Sequence, residues 1–272
     1  MSSTVNPGAP APNASLTDLK RVFRDARRDP QLAVLEGLHA LKHALRFGAE
    51  VLHTAVLAPD RLQTLADALA PDVRERILAG AQTVAPEVFA TLAPLAPATG
   101  VIAVARRPSV DVEALLAAQR PAPIVMLETP RDLGNVGACV RVAAAADAAG
   151  VLTTGIHDPW DPAALRGGAG LQFALPVARL GEDALERVSP VGGGAHGRPL
   201  VALDPEGQPL RPAQLPPRAV LAFGAERQGL SPALLERAEQ RVRLPMRAGV
   251  SSLNLATSVA AVLYSWRLAV GG

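Results

Sequence analysis

Cysteine and lysine are nearly missing from this chain of 272 residues. Cys139 is the single cysteine, which excludes an internal disulfide and a cysteine-based zinc site. A reducing, cytoplasmic setting is the simplest inference. Lys20 and Lys42 are the only lysines, so arginine supplies almost all of the 27 basic residues. Arginine offers a planar, permanently charged fork suited to phosphate, although high-GC codon usage produces the same excess. The formal charge is only +2, which rules out a claim of global attraction to nucleic acid. A membrane span is missing too. The uncharged stretch Ala248 to Trp266 contains Gly249, Ser251, Ser252, Asn254, Thr257 and Ser258, so a buried helix is expected there. Met1 to Asn13 has no charged n-region and no apolar h-region, and is read as a tail rather than a signal peptide.

Three familiar fingerprints fail. His39 and His43 stand four apart, but no Glu adjoins His39 and no third ligand is evident, so no metal is expected. Gly192-Gly193-Gly194 lacks the Lys-Ser/Thr of a phosphate loop and reads as a flexible loop. No Gly-x-Gly-x-x-Gly follows a strand.

Hydrophobic residues at 49% and charged residues at 19% describe a globular chain long enough for two domains. A disordered tail is expected over 1–18. Residues 19–107 read as a small α/β domain: a basic helix over Leu19 to Arg28, helical spacing over Leu32 to Phe47 stopped by Gly48, and a strand over Glu50 to Leu57. A helix broken near Pro71, a short helix from Pro86 and a strand over Gly100 to Ala105 follow. The proline-rich stretch 108–122 is the expected linker. In 123–272 strands are expected at Ile124 to Leu127, Val151 to Ile156, Phe173 to Val177, Pro199 to Leu203, Val220 to Phe223 and Val242 to Leu244. Helices alternate with them: Asn135 to Ala149 ended by Gly150, Leu180 to Val188, one capped by Ser231-Pro232, and Leu255 to Val270, with a Gly-rich helix or turn over Pro162 to Gly170. The alternation predicts a mostly parallel sheet.

Three segments carry polar residues where chemistry could sit. Asn135 and Gly137 precede Arg141, a lone charge in an otherwise apolar helix, which either faces solvent or points into a site. Asn135 by itself reads equally as a helix N-cap. Gly224, Glu226 and Gly229 follow the apolar strand that includes Leu221, at the strand end where open α/β sheets bind ligands. Leu244-Pro245-Met246 is followed by Ser252-Leu253-Asn254 ahead of the final helix, where capping explains the polar residues as well as catalysis does.

Taken in order, these segments resemble the three motifs of the SpoU (TrmH-like) branch of the SPOUT methyltransferases: Asn135-x-Gly137-x-x-x-Arg141, Gly224-x-Glu226-x-x-Gly229-Leu230, and Leu244-Pro245-Met246 with Ser252-Leu253-Asn254. The stretch Arg166 to Pro176 resembles the family's Gly-containing segment ahead of Leu-Pro. Glu36-Gly37-Leu38-His39-Ala40-Leu41 and Thr99 to Val104 resemble the RNA substrate-binding domain often found ahead of the catalytic one.

The resemblance implies a trefoil-knotted α/β domain that binds S-adenosylmethionine, forms a homodimer and methylates a ribose 2′-hydroxyl of RNA. Ribosomal RNA is the expected substrate and transfer RNA the alternative. A non-catalytic RNA-binding protein with a relic knot is a further alternative. It implies Arg141, Asn135, Glu226, Ser252 and Asn254 as the catalytic set, with Arg141 as phosphate anchor and electrostatic stabiliser. Gly224, Leu221, Gly229, Leu244, Met246 and Leu253 are the implied cofactor contacts. Arg21, Arg24 and Arg166 are the candidate RNA contacts. Ser265 departs from the acidic residue common in the family, away from the expected chemistry, and Ala256 from a small hydroxyl residue, which leaves the site intact but removes one possible hydrogen bond.

Overall fold

The structure, a computed structural model, describes residues 16–189, 195–226 and 228–270. The Gly192 to Gly194 loop and most of the expected tail lie outside the described residues. The first half runs α1 (Leu16–Ala26), β1 (Leu32–Glu36), α2 (Leu38–Arg46), β2 (Val51–Val56), α3 (Pro59–Leu69), α4 (Arg74–Ala79), β3 (Ala81–Thr83), α5 (Pro86–Phe89) and β4 (Val101–Arg106). Its strands form one sheet in the order β1-β4-β2-β3, with β4 antiparallel to both neighbours.

Two expectations change here. The helical spacing over Leu32 to Phe47 is divided, because Leu32 to Glu36 pairs with β4 as a strand and helix begins only at Leu38. Apolar runs of this length suit either state, and Gly37 at φ +104 breaks the register between them. Helix α1 begins at Leu16, inside the stretch expected to be tail. Leu19, Phe23 and Ala26 are buried against Val34, Ile102 and Val104 of the sheet, and that burial holds the helix down.

The second half runs α6 (Val112–Ala117), β5 (Ile124–Leu127), α7 (Leu133–Ala145), β6 (Gly150–Thr153), α8 (Pro162–Gly167), β7 (Val177–Arg179), α9 (Ala184–Val188), β8 (Leu200–Pro209), β9 (Val220–Phe223), α10 (Pro232–Arg237), β10 (Gln240–Arg243) and α11 (Leu255–Ala269). The sheet order is β10-β8-β9-β5-β6-β7, and every ladder in it is parallel. β5, β6 and β9 are buried at every position, as expected for strands covered on both faces. From β5 the chain steps outward to β6 and β7, then returns to β8 and slots β9 between β8 and β5. The direction of winding therefore reverses beside β5 and β9, and a crevice at the carboxyl ends of those strands follows.

Three further details differ from expectation. Gly150 opens β6 and does not end α7; the helix stops at Ala145, and Asp147 at φ 60 turns the chain. Leu171 to Phe173 is a 3-10 turn, so the strand expected from Phe173 lies at Val177–Arg179. The expected linker is packed: Leu115 and Leu116 of α6 are buried in the core.

Arg198 explains much of that packing. Its side chain is fully buried and donates to the carbonyls of Leu116 (2.9 Å), Ala118 (2.9 Å), Ala122 (3.0 Å) and Arg218 (3.2 Å). Burial, then the neighbouring Arg218, pushes its pKa down to about 10, which leaves it charged at neutral pH. The two halves meet through Glu36, whose carboxylate is buried and accepts from Arg27 at 3.0 Å and from Arg166. Arg107 adds a bond to Asp158 at 2.6 Å and lies over the Trp160 ring.

Replacing Arg198 with Met strands several buried carbonyls and is expected to destabilise the protein by about 3 kcal/mol. Urea unfolding measures this; a loss below about 1 kcal/mol would mean the carbonyls find other partners. Cys139 offers a second check. Burial, then Glu226, raises its thiol pKa to about 12. The unfolded thiol ionises near 8.5, so stability falls as pH rises above that value, by about 1.4 kcal/mol per pH unit from this group. Cys139→Ala removes that slope between pH 9 and 11, measured by thermal unfolding.

Candidate active site

At the end of β5, Glu128 binds Ser231 twice: the Ser231 amide donates to one carboxylate oxygen and its hydroxyl to the other, both at 2.7 Å. Ser231 also caps α10, accepting from the Leu234 amide at 3.3 Å. The loop after β5 is thus fixed to the loop after β9. A few residues on, Asp132 caps α7 by accepting from the Asn135 amide at 2.7 Å. Asn135 is therefore the third residue of the helix rather than its cap, and its side chain is left for other work.

That work is a relay across three loops. Asn254 caps α11, its Oδ1 accepting from the amides of Ala256 (2.9 Å) and Thr257 (3.3 Å). Its Nδ2 donates to Asn135 Oδ1 at 2.9 Å. Asn135 Nδ2 then donates to Glu226 Oε1 at 2.7 Å. Each amide's orientation is dictated by the next group: the cap needs an acceptor from Asn254, and the carboxylate needs a donor from Asn135. The other oxygen of Glu226 takes the Arg131 amide at 3.4 Å, and Arg131 holds Gln228 at 2.9 Å. Sequence reasoning missed Asp132, Arg131 and Glu128 and read Ser231 only as the cap of α10; the Asp-x-x-Asn spacing at 132–135 was a signal for the first.

Gly224 makes the second loop possible. A Cβ there would lie 2.0 Å from the carbonyl carbon of Gly229. The loop closes on itself through Gly229 N to Ala225 O at 3.0 Å, with Gly229 at φ +68. Leu221 is buried within β9 and supports this loop from below. On the third loop Leu244 and Met246 are half-buried, whereas Ser252 is exposed and Leu253 is 43% exposed. Among the described residues, the amides of Met246, Ser252 and Leu253 and the hydroxyl of Ser252 have no hydrogen-bond partner.

Arg141 stands apart. Its side chain is exposed and, among the described residues, makes no hydrogen bond or ion pair. Six residues past Asn135, it leaves α7 roughly 120° around the helix from it. The structure brings Asn135, Glu226 and Asn254 together and does not join Arg141 to them within one chain. Arg21 and Arg24 lie on α1, paired with Asp18 at 3.4 Å and Asp25 at 3.0 Å, and Arg166 pairs with Glu36. A cavity of about 630 Å³ opens at the ends of β5, β6 and β7, walled by Glu128, Thr129, Thr154, Arg179 and Leu180. The relay residues lie outside its lining.

An organic ligand fits this geometry better than a bare ion does. Open backbone donors and exposed apolar side chains lie on the loop ahead of α11, which Asn254 ties through Asn135 to the Glu226 carboxylate. A tRNA/rRNA methyltransferase of Synechocystis sp., otherwise uncharacterized, is 31% identical over 265 residues, which is 94% of this chain and 91% of that one. The 23S rRNA (adenosine(1067)-2′-O)-methyltransferase of Streptomyces laurentii is 28% identical over 89% of this chain and 88% of its own. The SpoU methyltransferase AviRb of Streptomyces viridochromogenes, solved with AdoMet, shares the fold at a TM-score of 0.72 and 23% identity, covering 96% of this chain and 99% of that one. The profile of the SpoU rRNA methylase family matches residues 122–264, which include all three loops of the relay. By this match, which takes in more than half of its length, the chain belongs to the SpoU rRNA methylase family.

Proposed function

We propose that this protein transfers the methyl group of S-adenosylmethionine to a ribose 2′-hydroxyl of a structured RNA, with ribosomal RNA as the substrate. The observation that carries the reading is the Glu226–Asn135–Asn254 relay, which ties the loops after β9, β5 and β10 into one unit. Similarity along nearly the whole chain to a ribosomal RNA ribose methyltransferase favours ribosomal over transfer RNA.

The residues present suit the cofactor. Leu244, Met246 and Leu253 offer an apolar face for its base, and the open amides of Met246, Ser252 and Leu253 offer donors to its polar edge. Gly224 and Gly229 keep the facing loop free of side-chain bulk. When bound, the cofactor supplies a sulfonium-activated methyl whose departure leaves a neutral thioether. The protein's remaining tasks are to orient the RNA hydroxyl and to receive its proton. Asn135 is locked from both sides by Glu226 and Asn254, so it positions the loops without conformational freedom. Ser252 Oγ is free to accept the hydroxyl's hydrogen bond.

Arg141 supplies the cation that this set lacks, holding the adjoining phosphate and stabilising the developing alkoxide. Because it is not joined to the relay of its own chain, it serves the relay of a second copy. The α7–α11 surface supports such a homodimer: Tyr264 is 44% and Leu268 78% exposed on α11, whose residues from Leu255 to Trp266 carry no charge. In this reading each Arg141 lies against the partner's relay across a two-fold interface. The lone buried Cys139 and an RNA substrate suit a cytoplasmic setting.

Arg141→Ala is expected to lower methyl transfer at least about 100-fold while S-adenosylmethionine binding, followed by calorimetry, is retained. Methylation of ribosomal and transfer RNA from cells lacking the protein identifies the substrate class. Co-expressing Arg141→Ala with Asn135→Ala chains should restore about a quarter of wild-type activity, since half of the dimers are mixed and each has one intact site. No restoration would place Arg141 in its own chain's site, and no transfer to either RNA would remove the enzymatic reading.

A further inference from the structure

The cavity of about 630 Å³ at the carboxyl ends of β5, β6 and β7 has an apolar floor and a polar rim. Met126 of β5, Leu180 after β7 and Leu234 of α10 form the floor. Its size lies within the range of clefts that hold small organic ligands. One wall is shaped by a strained residue. Thr129 sits at φ 45, a left-handed conformation that a β-branched side chain rarely adopts. Two contacts hold it there. Its amide donates to Thr154 Oγ1 at 2.9 Å, and Gly155, at φ +82, lies so close that a Cβ would meet Thr129 Cα at 3.2 Å. Strain of this kind persists only where the surroundings over-determine the backbone, and it gathers at ligand sites.

The rim carries opposite charges that do not meet. Arg179 is exposed, and its Nη1 donates to Ile156 O at 3.1 Å and to Gly155 O at 3.4 Å. Its Nε and Nη2 have no partner among the described residues, so the fork is anchored at one tip and open along its other edge. Glu182 is exposed on the same cavity and, among the described residues, its side chain has no hydrogen-bond or ionic partner. Ile156, 85% exposed, stands at the mouth as a bare apolar face. An apolar floor, an apolar side chain above it, an open guanidinium edge and an open carboxylate match one heterocycle. Guanine offers N7 and O6 as paired acceptors for arginine, and N1–H and N2–H as paired donors for a carboxylate. The other bases lack that combination of edges. The cavity also lies beside the relay. Glu128 on its wall is three residues from Arg131, whose amide reaches Glu226, a span of at most about 11 Å.

We propose that this cavity captures an unpaired guanine of the substrate RNA, on the strand that carries the ribose to be methylated, and thereby selects the site of modification. Arg179 and Glu182 read the two edges of the base, and Ile156 covers one of its faces. A base seated there leads its strand past residues 129–131 toward the relay. Arg179 and Glu182 set specificity and take no part in the transfer itself. This proposal rests on the reading of the protein as an RNA methyltransferase.

The test uses the full chain and deproteinised ribosomal RNA from cells that lack the protein. The RNA is lightly treated with kethoxal, which blocks N1 and N2 of unpaired guanines, and protein-bound molecules are compared with unbound ones. Wild type should exclude RNA blocked at one particular guanine near the methylated ribose, and in Glu182→Ala that exclusion should weaken at least about fivefold. Arg179→Ala and Glu182→Ala should each raise the KM for RNA at least about fivefold, with kcat and S-adenosylmethionine affinity within about twofold of wild type. A loss confined to kcat or to cofactor affinity marks a merely structural role and overturns the proposal. An active wild type that excludes no blocked guanine also overturns it and leaves the methyltransferase reading standing. Calorimetry with GMP and AMP separates the sources of the ring. GMP binding by a protein indifferent to every blocked guanine means that the cavity takes a free nucleotide, and the proposal for RNA falls. A wild type that methylates neither ribosomal nor transfer RNA overturns the reading and the proposal together.

Discussion

The Asp132 carboxylate decides what the site can be. By accepting from the Asn135 amide it satisfies the first turn of α7, and Asn135 no longer has to. An asparagine that must cap its own helix has its oxygen committed; this one has both ends of its amide available. One end reaches Glu226 after β9, the other Asn254 before α11. Each partner is likewise pinned, Asn254 by two amides of its helix and Glu226 by the Arg131 backbone. A single displaced cap thus converts three independent loops into one rigid wall.

Charge in the molecule is sorted in a matching way. Glu36 is buried at the junction of the two halves and is met by Arg27 from its own half and Arg166 from the other. A buried carboxylate with two guanidinium partners fixes orientation more than it adds stability, because desolvation offsets much of the attraction. Arginines near that junction are thereby consumed in holding the molecule together. Among the described residues the exposed side chain of Arg141 has no acidic partner.

Much of this was legible in the sequence. β5 and β9 fall where four-residue apolar runs predict them, since strands buried on both faces need no alternation. The Ser231-Pro232 cap is likewise local chemistry, readable from two adjacent residues. Leu32 to Glu36 was not legible, because Leu-Ala-Val-Leu fits helix or strand and only the distant β4 decides between them. The relay was half legible. Asn135, Glu226 and Asn254 stand out as polar residues at element ends, but their bonds cross 91 and 119 positions of chain, a distance that no local pattern encodes. Arg141 is conspicuous in the sequence as a charge out of place; that it faces away from its own relay depends on helix phase and on the packing of α7 against α8.

Arg198 has a consequence for how the chain can be divided. Its guanidinium sits on the carbonyls that end α6 and on those of Ala122 and Arg218, so the proline-rich stretch between the sheets is stitched into the second of them. A cation at that helix terminus also offsets the negative end of its dipole. The connection is accordingly a strut and not a tether: α6 and the parallel sheet gain and lose their structure together. The natural seam of the molecule lies ahead of Asp111, where the polypeptide could be severed without leaving a buried charge facing nothing.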